Sequence, residues 1–375
     1  MVTTALTSPK KTCKVFVLAF LAVLASFAAL NYLVWICFTK ELLKPESQAS
    51  DLVRLCYLVK ISQKKETGID LPKRHVGIGA FTGGQVDMVT VGDSFSLGGG
   101  GGKNNYYQDY IASLNDFVVV NVPSRLDKSR VGLLSPVNTL AILYNSGMLD
   151  MLKPRYVLLE SVERYIPERF LEHFTFDESE NLDRLIQHYR KYQVENIAGN
   201  EGVTFINTGN AKFVYFNIKD LFDVERINKK VYKTRLKTPL FSGKYGDRLY
   251  VYHEEYDNQR KLTRDGIRKI NDNLNYIADK LASKNISLVF MPIVDRSDLY
   301  DGFAVRPRKF SIFFEEIRKL PKRYQFIDTK AILLPELQRG EKDLYFMDDT
   351  HWNPKAAKKI FETVRFEKKT AGLAK

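Results

Sequence analysis

Cysteine is scarce: the 375 residues hold three, Cys13, Cys37 and Cys56. The first two lie in or beside an apolar N-terminal segment, so only Cys56 remains for the rest of the chain. A disulfide framework and a cysteine-based metal site are excluded by that arithmetic. Histidine is nearly as sparse, with His75, His173, His188, His253 and His351. There is no zinc-finger spacing, no aromatic RNA-binding signature and no dense basic block, so nucleic acid is not an expected partner. A phosphate loop is missing too. The run from Gly98 to Lys103 reads GGGGGK, but such a loop needs a glycine five positions before Gly102 and a Ser or Thr after Lys103. Leu97 and Asn104 stand there, and no cofactor is expected.

Acidic residues are outnumbered, 44 against 57 basic, which leaves a formal charge of +13. That balance suits an anionic partner such as anionic lipid or an acidic polymer. The excess is spread along the chain in pairs such as Lys64-Lys65, Lys229-Lys230 and Lys358-Lys359, each read most simply as a solvated face. With 45% hydrophobic and 27% charged residues, the chain as a whole is expected to fold.

One long apolar run is present. Residues 15–38 carry no charge, and about 20 apolar residues suffice to cross a bilayer as a helix. Lys10, Lys11 and Lys14 precede it without an acid, while Lys40, Glu41, Lys44 and Glu46 follow it with mixed signs. The positive-inside bias then puts the N-terminus in the cytoplasm and the rest of the chain outside it. Tyr32 and Trp35 fit an interfacial aromatic belt. Ala25, Ala28 and Ala29 offer a weak cleavage pattern for a signal peptide, but the apolar run continues well past them. The expected organisation is a cytoplasmic tail over 1–14, an anchor over 15–38, a linker or stem over 39–84 with a helix near 50–62, and one catalytic domain over 85–375. No second stretch long enough to span follows.

Short apolar runs at 86–92, 117–122, 156–160, 287–292 and 324–328 read as buried strands. Between them, Ile267, Ile270, Leu274, Ile277, Ala278 and Leu281 fall on one helical face. Strands alternating with helices predict an α/β fold with a parallel sheet and helices on both faces. Residues 170–260 break that rhythm and read as an insertion, either a lid or a packed subdomain, with hairpin-like pieces around Asn207, Gly209 and Asn210.

The first apolar run stops at Gly92-Asp93-Ser94, which places Ser94 on a tight turn at the carboxyl end of a strand, the edge where open α/β sheets bind ligands. A serine hydroxyl needs a base to become a nucleophile. His351 is the candidate, because Asp348-Asp349-Thr350-His351-Trp352-Asn353-Pro354 puts carboxylates beside it in a loop that feeds a helix capped by Asn353. A nearby carboxylate can hold the Nδ1 proton and leave Nε2 facing the serine. Both Asp348 and Asp349 are within reach. Asp349, His351 and Asp93 are the alternative set for a metal site, which no further His or Cys completes. Gly98 and Arg164 are candidates for the oxyanion or substrate contact, Arg164 because it follows the strand at 156–160 and so lies at the same sheet edge; a structural salt bridge is its alternative role.

The strand followed by Gly-Asp-Ser-Phe near one end and Asp-Thr-His-Trp near the other resembles the SGNH (GDSL-type) hydrolase superfamily. The Asp-Thr-His-Trp tetrad is similar to that of the SGNH-like alginate O-acetyltransferase group. There the Asp-His motif precedes the serine, whereas here the serine comes first, as in ordinary SGNH esterases. The resemblance implies Ser94 as the acylated residue, with Asp349 and His351 activating it; the Asp-x-x-His spacing of ordinary SGNH enzymes would select Asp348 instead. It further implies O-acylation of a cell-surface or exported polysaccharide in the periplasm, with a multi-pass membrane acyltransferase supplying the acyl group. A carbohydrate or lipid esterase and a non-catalytic glycan-binding or assembly component are the alternatives.

Overall fold

The apolar runs form strands because β-branched residues and flanking turns leave them no amphipathic helical period; the inner ones are covered on both faces, while Gln325 on the edge run at 324–328 is exposed. The computed structural model describes residues 9–43, 50–65, 69–126, 134–192, 204–308 and 311–367. Its central sheet comprises β1 (Val76–Gly77), β2 (Met88–Gly92), β3 (Val119–Pro123), β4 (Tyr156–Val162), β7 (Ser287–Ile293) and β8 (Gln325–Phe326). A separate antiparallel hairpin is made by β5 (Val231–Arg235) and β6 (Arg248–Tyr252). The sheet order is β1-β3-β2-β4-β7-β8 and every pairing is parallel. In a parallel sheet all strands end on the same edge. The turns after β2, β4 and β7 therefore converge there, bringing Ser94, Arg164 and Arg296 into one neighbourhood.

The helices that matter for the site are α1 (Pro9–Val34), α2 (Asp51–Cys56), α3 (Tyr107–Asn115), α4 (Pro136–Asn145), α5 (Thr208–Leu221), α6 (Arg264–Ala282), α7 (Thr329–Gln338) and α8 (Pro354–Thr363). Helix α6 buries the Ile267, Ile270, Leu274, Ile277, Ala278 and Leu281 face that its spacing predicts. Helices α6 and α7 pack on β7, α4 packs on β2 and β4, and α3 packs on β3 and on α8. Asn353 caps α8, its side chain accepting the Lys355 N–H, and Pro354 opens the first turn. The fold is α/β with helices around a parallel sheet.

Three expectations differ from the structure. Residues 39–84 were expected as linker or stem, yet Leu52, Val53, Cys56, Leu58 and Ile61 are buried in the core and Val76 pairs with Val120 of β3. The helix expected near 50–62 is present over Asp51–Cys56, but only its partner surface reveals that its apolar residues join the core. The folded domain therefore begins well before residue 85. The hairpin expected around Asn207 and Gly209 is helix α5. There Asn207 accepts the Asn210 N–H as an N-cap, so the turn chemistry starts a helix instead of joining two strands. Beyond α5, the 170–260 region supplies the β5–β6 hairpin.

Helix α1 runs on through a π-turn, Trp35–Thr39, so that a helical segment of 31 residues, Thr12–Leu42, is long and apolar enough by length and composition to cross a membrane. Its faces are largely exposed.

The packing of residues 50–61 predicts that Leu52→Ala leaves a core cavity. A thermal melt should show a loss of about 2–5 kcal/mol, the usual cost for a buried leucine, whereas a linker leucine would leave the transition unmoved.

Candidate active site

Ser94 sits two residues beyond β2, in a turn that needs glycine before it. A Cβ on Gly92 would come within 2.0 Å of Ser96 Oγ and 2.1 Å of Glu160 Oε2. That crowding arises because Glu160, on β4, accepts the Asp93 N–H at 2.9 Å and the Ser96 hydroxyl at 2.9 Å. Burial pushes the Glu160 carboxyl well above its ordinary value, and the adjacent Asp93 carboxylate pushes it further. Asp93 itself is an ion-pair partner. Burial alone would raise its pKa, but the Arg169 guanidinium at 2.6 Å holds it below the usual range, and the Val162 N–H adds to this at 2.9 Å. These buried groups form the floor of the turn.

His351 reaches Ser94 from the other end of the chain. Its Nε2 lies 2.7 Å from Ser94 Oγ, and its Nδ1 lies 2.6 Å from Asp349 Oδ1. An ionised carboxylate only accepts, so Nδ1 carries the proton and Nε2 presents a lone pair to the serine. Burial would lower the His351 pKa, but Asp349 outweighs it and holds the imidazole above its ordinary 6.5. For Asp349, burial is outweighed in turn by His351 and by Lys65, whose Nζ is 2.9 Å from Oδ2, and the carboxyl falls well below its ordinary value. Asp348 faces elsewhere: its Oδ2 accepts the Ser50 hydroxyl at 2.8 Å and the Gln63 N–H at 2.9 Å. Of the two aspartates, Asp349 is the one on His351.

The loop carrying this pair is clamped from three directions. Arg296, with no exposed surface, donates to the carbonyls of Phe346 at 2.9 Å, of Asp349 and of Tyr250. Asp51, at the start of α2, accepts the Thr350 N–H at 2.8 Å and the Thr350 hydroxyl. Trp352 is buried edge-on against Phe95, centroids 5.2 Å apart. The glycine run packs against the imidazole: a Cβ on Gly99 would lie 2.3 Å from His351 Nε2 and 2.7 Å from the Ser94 carbonyl oxygen. The run is thus a tight wrap around the base. Gly98, expected near the oxyanion, takes a left-handed φ of +75° and turns its N–H to the Phe95 carbonyl.

A pocket of about 240 Å³ opens over Ser94 and His351, walled by Asp51, Leu55, Arg164, Tyr165 and Tyr252. Arg164 is therefore beside the serine, but its Nη1 is held by Asp295 at 2.5 Å. Burial pushes that aspartate up to about 7 despite the guanidinium. Asp51, Asp349 and His351 offer three ligand atoms within 4.8 Å of one another. The Lys65 ammonium already supplies a positive charge at Asp349, and Asp93, weighed with these residues, is turned onto Arg169. The sequence reading missed Asp51, Lys65, Arg169 and Arg296. Only Arg296 had a usable signal, as a charged residue placed three positions past the end of β7.

Residues 246–370 match the family model of an SGNH hydrolase-like domain described for the acetyltransferase AlgX. Over that segment the chain is similar to an SGNH-like domain of the AlgX kind. The matched segment holds Asp349 and His351, while Ser94 lies before it. No curated protein matches the chain.

The imidazole environment in this SGNH-like domain gives a titration test. His351 should titrate above 6.5 by NMR, and Asp349→Asn, which removes the carboxylate that favours the charged ring, should move the titration down. Asp348→Asn should leave the Nδ1 hydrogen bond in place.

Proposed function

We propose that this protein is a membrane-anchored O-acyltransferase that places an acyl group, acetyl by analogy with the AlgX domain, on a hydroxyl of a polysaccharide outside the cytoplasm. The observation that carries the reading is the relay from Ser94 Oγ to His351 Nε2 at 2.7 Å and from Nδ1 to Asp349 at 2.6 Å. Each proton in an acyl transfer then has a place to go.

In the first half-reaction Ser94 Oγ attacks the donor's carbonyl carbon as its proton moves to His351 Nε2. The tetrahedral adduct collapses, the acyl–donor bond breaks, and the imidazolium protonates the leaving group. In the second half a glycan hydroxyl attacks the acyl-serine ester and gives its proton to Nε2, which returns one to Ser94 Oγ. Asp349 stabilises the imidazolium in both halves. Charge develops on the acyl oxygen, and donors must face it. The Ser94 N–H is the nearest backbone candidate. The Arg164 Nε–H, buried without an acceptor among the described residues in the wall of the same pocket, is a side-chain candidate.

The apolar segment of residues 15–38 serves in this reading as an uncleaved anchor. Lys10, Lys11 and Lys14 hold the N-terminus in the cytoplasm, and the SGNH-like domain lies outside it. The donor is supplied by a multi-pass membrane acyltransferase, a role inferred from the group alone.

The full chain in detergent, given an activated acetyl ester and oligosaccharides, should acetylate the glycan. Ser94→Ala should abolish the reaction, and Asp349→Asn should lower kcat by about 10⁴-fold, the scale seen when a triad aspartate loses its charge. Ester hydrolysis with no glycan acylation at any acceptor concentration would replace transferase by esterase. A folded protein whose Ser94 never labels with a serine-directed phosphonate would remove the enzyme reading altogether.

The pH dependence follows from the same relay. Only neutral His351 can accept the serine proton, so kcat/KM should rise with pH through an apparent pKa above 6.5. A profile flat through that range, measured with the same ester, would count against His351 as the base.

A further inference from the structure

Helix α5 has its polarity reversed. Ala211, Val214, Tyr215, Ile218 and Leu221 recur at i, i+3, i+4, i+7 and i+10, the spacing of one helical face. That face is exposed: Tyr215 is 59% accessible, Leu221 77% and the adjoining Phe222 75%. Phe205, Ile206 and Val224 extend the patch at either end. The polar residues are turned inward instead. Asn210 is buried against the end of the α1 segment, Asn217 donates to the Tyr57 carbonyl at 3.1 Å, and Asp220 is buried under Lys60, Lys233 and Arg248. A helix built for water places these groups the other way round, and an apolar patch of this extent marks an interaction surface.

What covers the patch is indicated by where α5 sits. Thr39 donates its hydroxyl proton to Asn210 Oδ1 at 2.6 Å, and Asn210 Nδ2 donates to the Asn31 carbonyl and side-chain oxygens at 3.2 Å. Phe213 stacks on Phe38 with centroids 4.6 Å apart, and Phe205 meets Tyr32 at 6.1 Å. All these contacts fall on residues 31–39 of the apolar segment, the level of Tyr32 and Trp35, where an aromatic belt marks the membrane–water boundary. The exposed face of α5 thus continues the exposed apolar surface of α1, and Lys40 and Lys212 beside it suit lipid phosphates.

We propose that α5 is an interfacial helix that lays its Val214, Tyr215, Ile218, Leu221 and Phe222 face into the bilayer on the side occupied by the SGNH-like domain. The proposal rests on the reading of α1 as a membrane span. Its consequence for the site is geometric. Tyr57, which ends α2, touches α5 through Phe216 and Asn217, and Asp51, at the other end of α2, lines the pocket over Ser94. Six helical residues span roughly 9 Å. The exposed face of α5 lies on the side away from Tyr57, which adds a helix width of roughly 10 Å, so the pocket is held on the order of 20 Å from the lipid surface, on the side where a donor from within the membrane would emerge.

The test uses the full chain in vesicles of phosphatidylethanolamine and phosphatidylglycerol, with Cys13 and Cys37 replaced by alanine and one environment-sensitive fluorophore attached at a time. Labels on Ile218→Cys and on Leu221→Cys should show blue-shifted emission, quenched by lipids spin-labelled near the headgroup and shielded from iodide in the buffer. A label on Leu24→Cys should be quenched by lipids spin-labelled near the chain ends, as a span requires. Quenching at position 24 with iodide access at 218 and 221 would overturn the interfacial helix while leaving the anchor standing. Shielding of 218 and 221 from both quenchers would mean a protein partner or a second copy covers the face, and would also overturn it. Iodide access at position 24 would remove the anchor and the inference together.

Discussion

The arrangement depends on burying one guanidinium. Arg296 is fully enclosed, and an arginine inside a protein does not shed its proton, so acceptors must surround it. Among the described residues no carboxylate pairs with it and its Nε has no acceptor; the carbonyls of Phe346, Asp349 and Tyr250 converge on its two terminal nitrogens instead. Because Arg296 follows β7 directly, this ties three pieces of chain to the sheet edge: the strand end, the β5–β6 hairpin and the loop of Asp349 and His351. Removing the guanidinium would leave those carbonyls buried without donors, at a cost of roughly 1–3 kcal/mol for each group. The short distance between Ser94 and His351 is a consequence of that frame, since the two residues come from opposite ends of the fold.

A second layer of support comes from residues that precede the sheet. Ser50 and Gln63 hold Asp348, Asp51 holds Thr350, and Lys65 holds Asp349. The two adjacent aspartates are thereby sorted into different tasks: Asp348 fastens the loop to the N-terminal segment, and Asp349 serves the imidazole. Asp51 is itself perturbed. Burial, and then the Asp349 carboxylate, push its pKa up to about 6, so near neutral pH it changes charge more easily than an ordinary aspartate. The N-terminal segment thus shapes the site that it was expected only to tether.

Much of this was legible in the sequence where a local rule decides the outcome. Five apolar runs became strands because a run of that length has few other ways to bury itself, and Asn353-Pro354 began a helix because the cap and the fixed φ of proline act within one turn. The Gly-Asp-Ser and Asp-Thr-His-Trp blocks were legible because their chemistry depends on neighbours in sequence. What escaped was set by distant partners. Val76–Gly77 becomes a strand only because β3 offers it an edge. Residues 208–221 look like turn and strand by composition, and packing against α1 and α2 makes them a helix. Lys65 and Asp51 are surface-like residues until the chain brings them within a hydrogen bond of the loop 284 and 299 positions later.

The net charge of +13 invites the idea of an acidic acceptor drawn into the pocket, but the pocket does not carry that surplus. Its two arginines are already committed, Arg164 to Asp295 and Arg169 to Asp93, and Asp51 adds an acid to the wall. A uniformly basic cleft would attract an anionic glycan from a distance and bind it without regard to orientation. On the proposed function, a nearly compensated one would recognise a sugar through individual hydrogen bonds and through the apolar faces of Leu55, Tyr165 and Tyr252. In that reading such contacts would place one hydroxyl against the proposed acyl-serine, and positioning of that kind would let a glycan compete with water for the ester. A general attraction to an acidic polymer would then have to come from the lysines and arginines spread over the outer surface, and the choice of hydroxyl, on the proposed function, from the pocket.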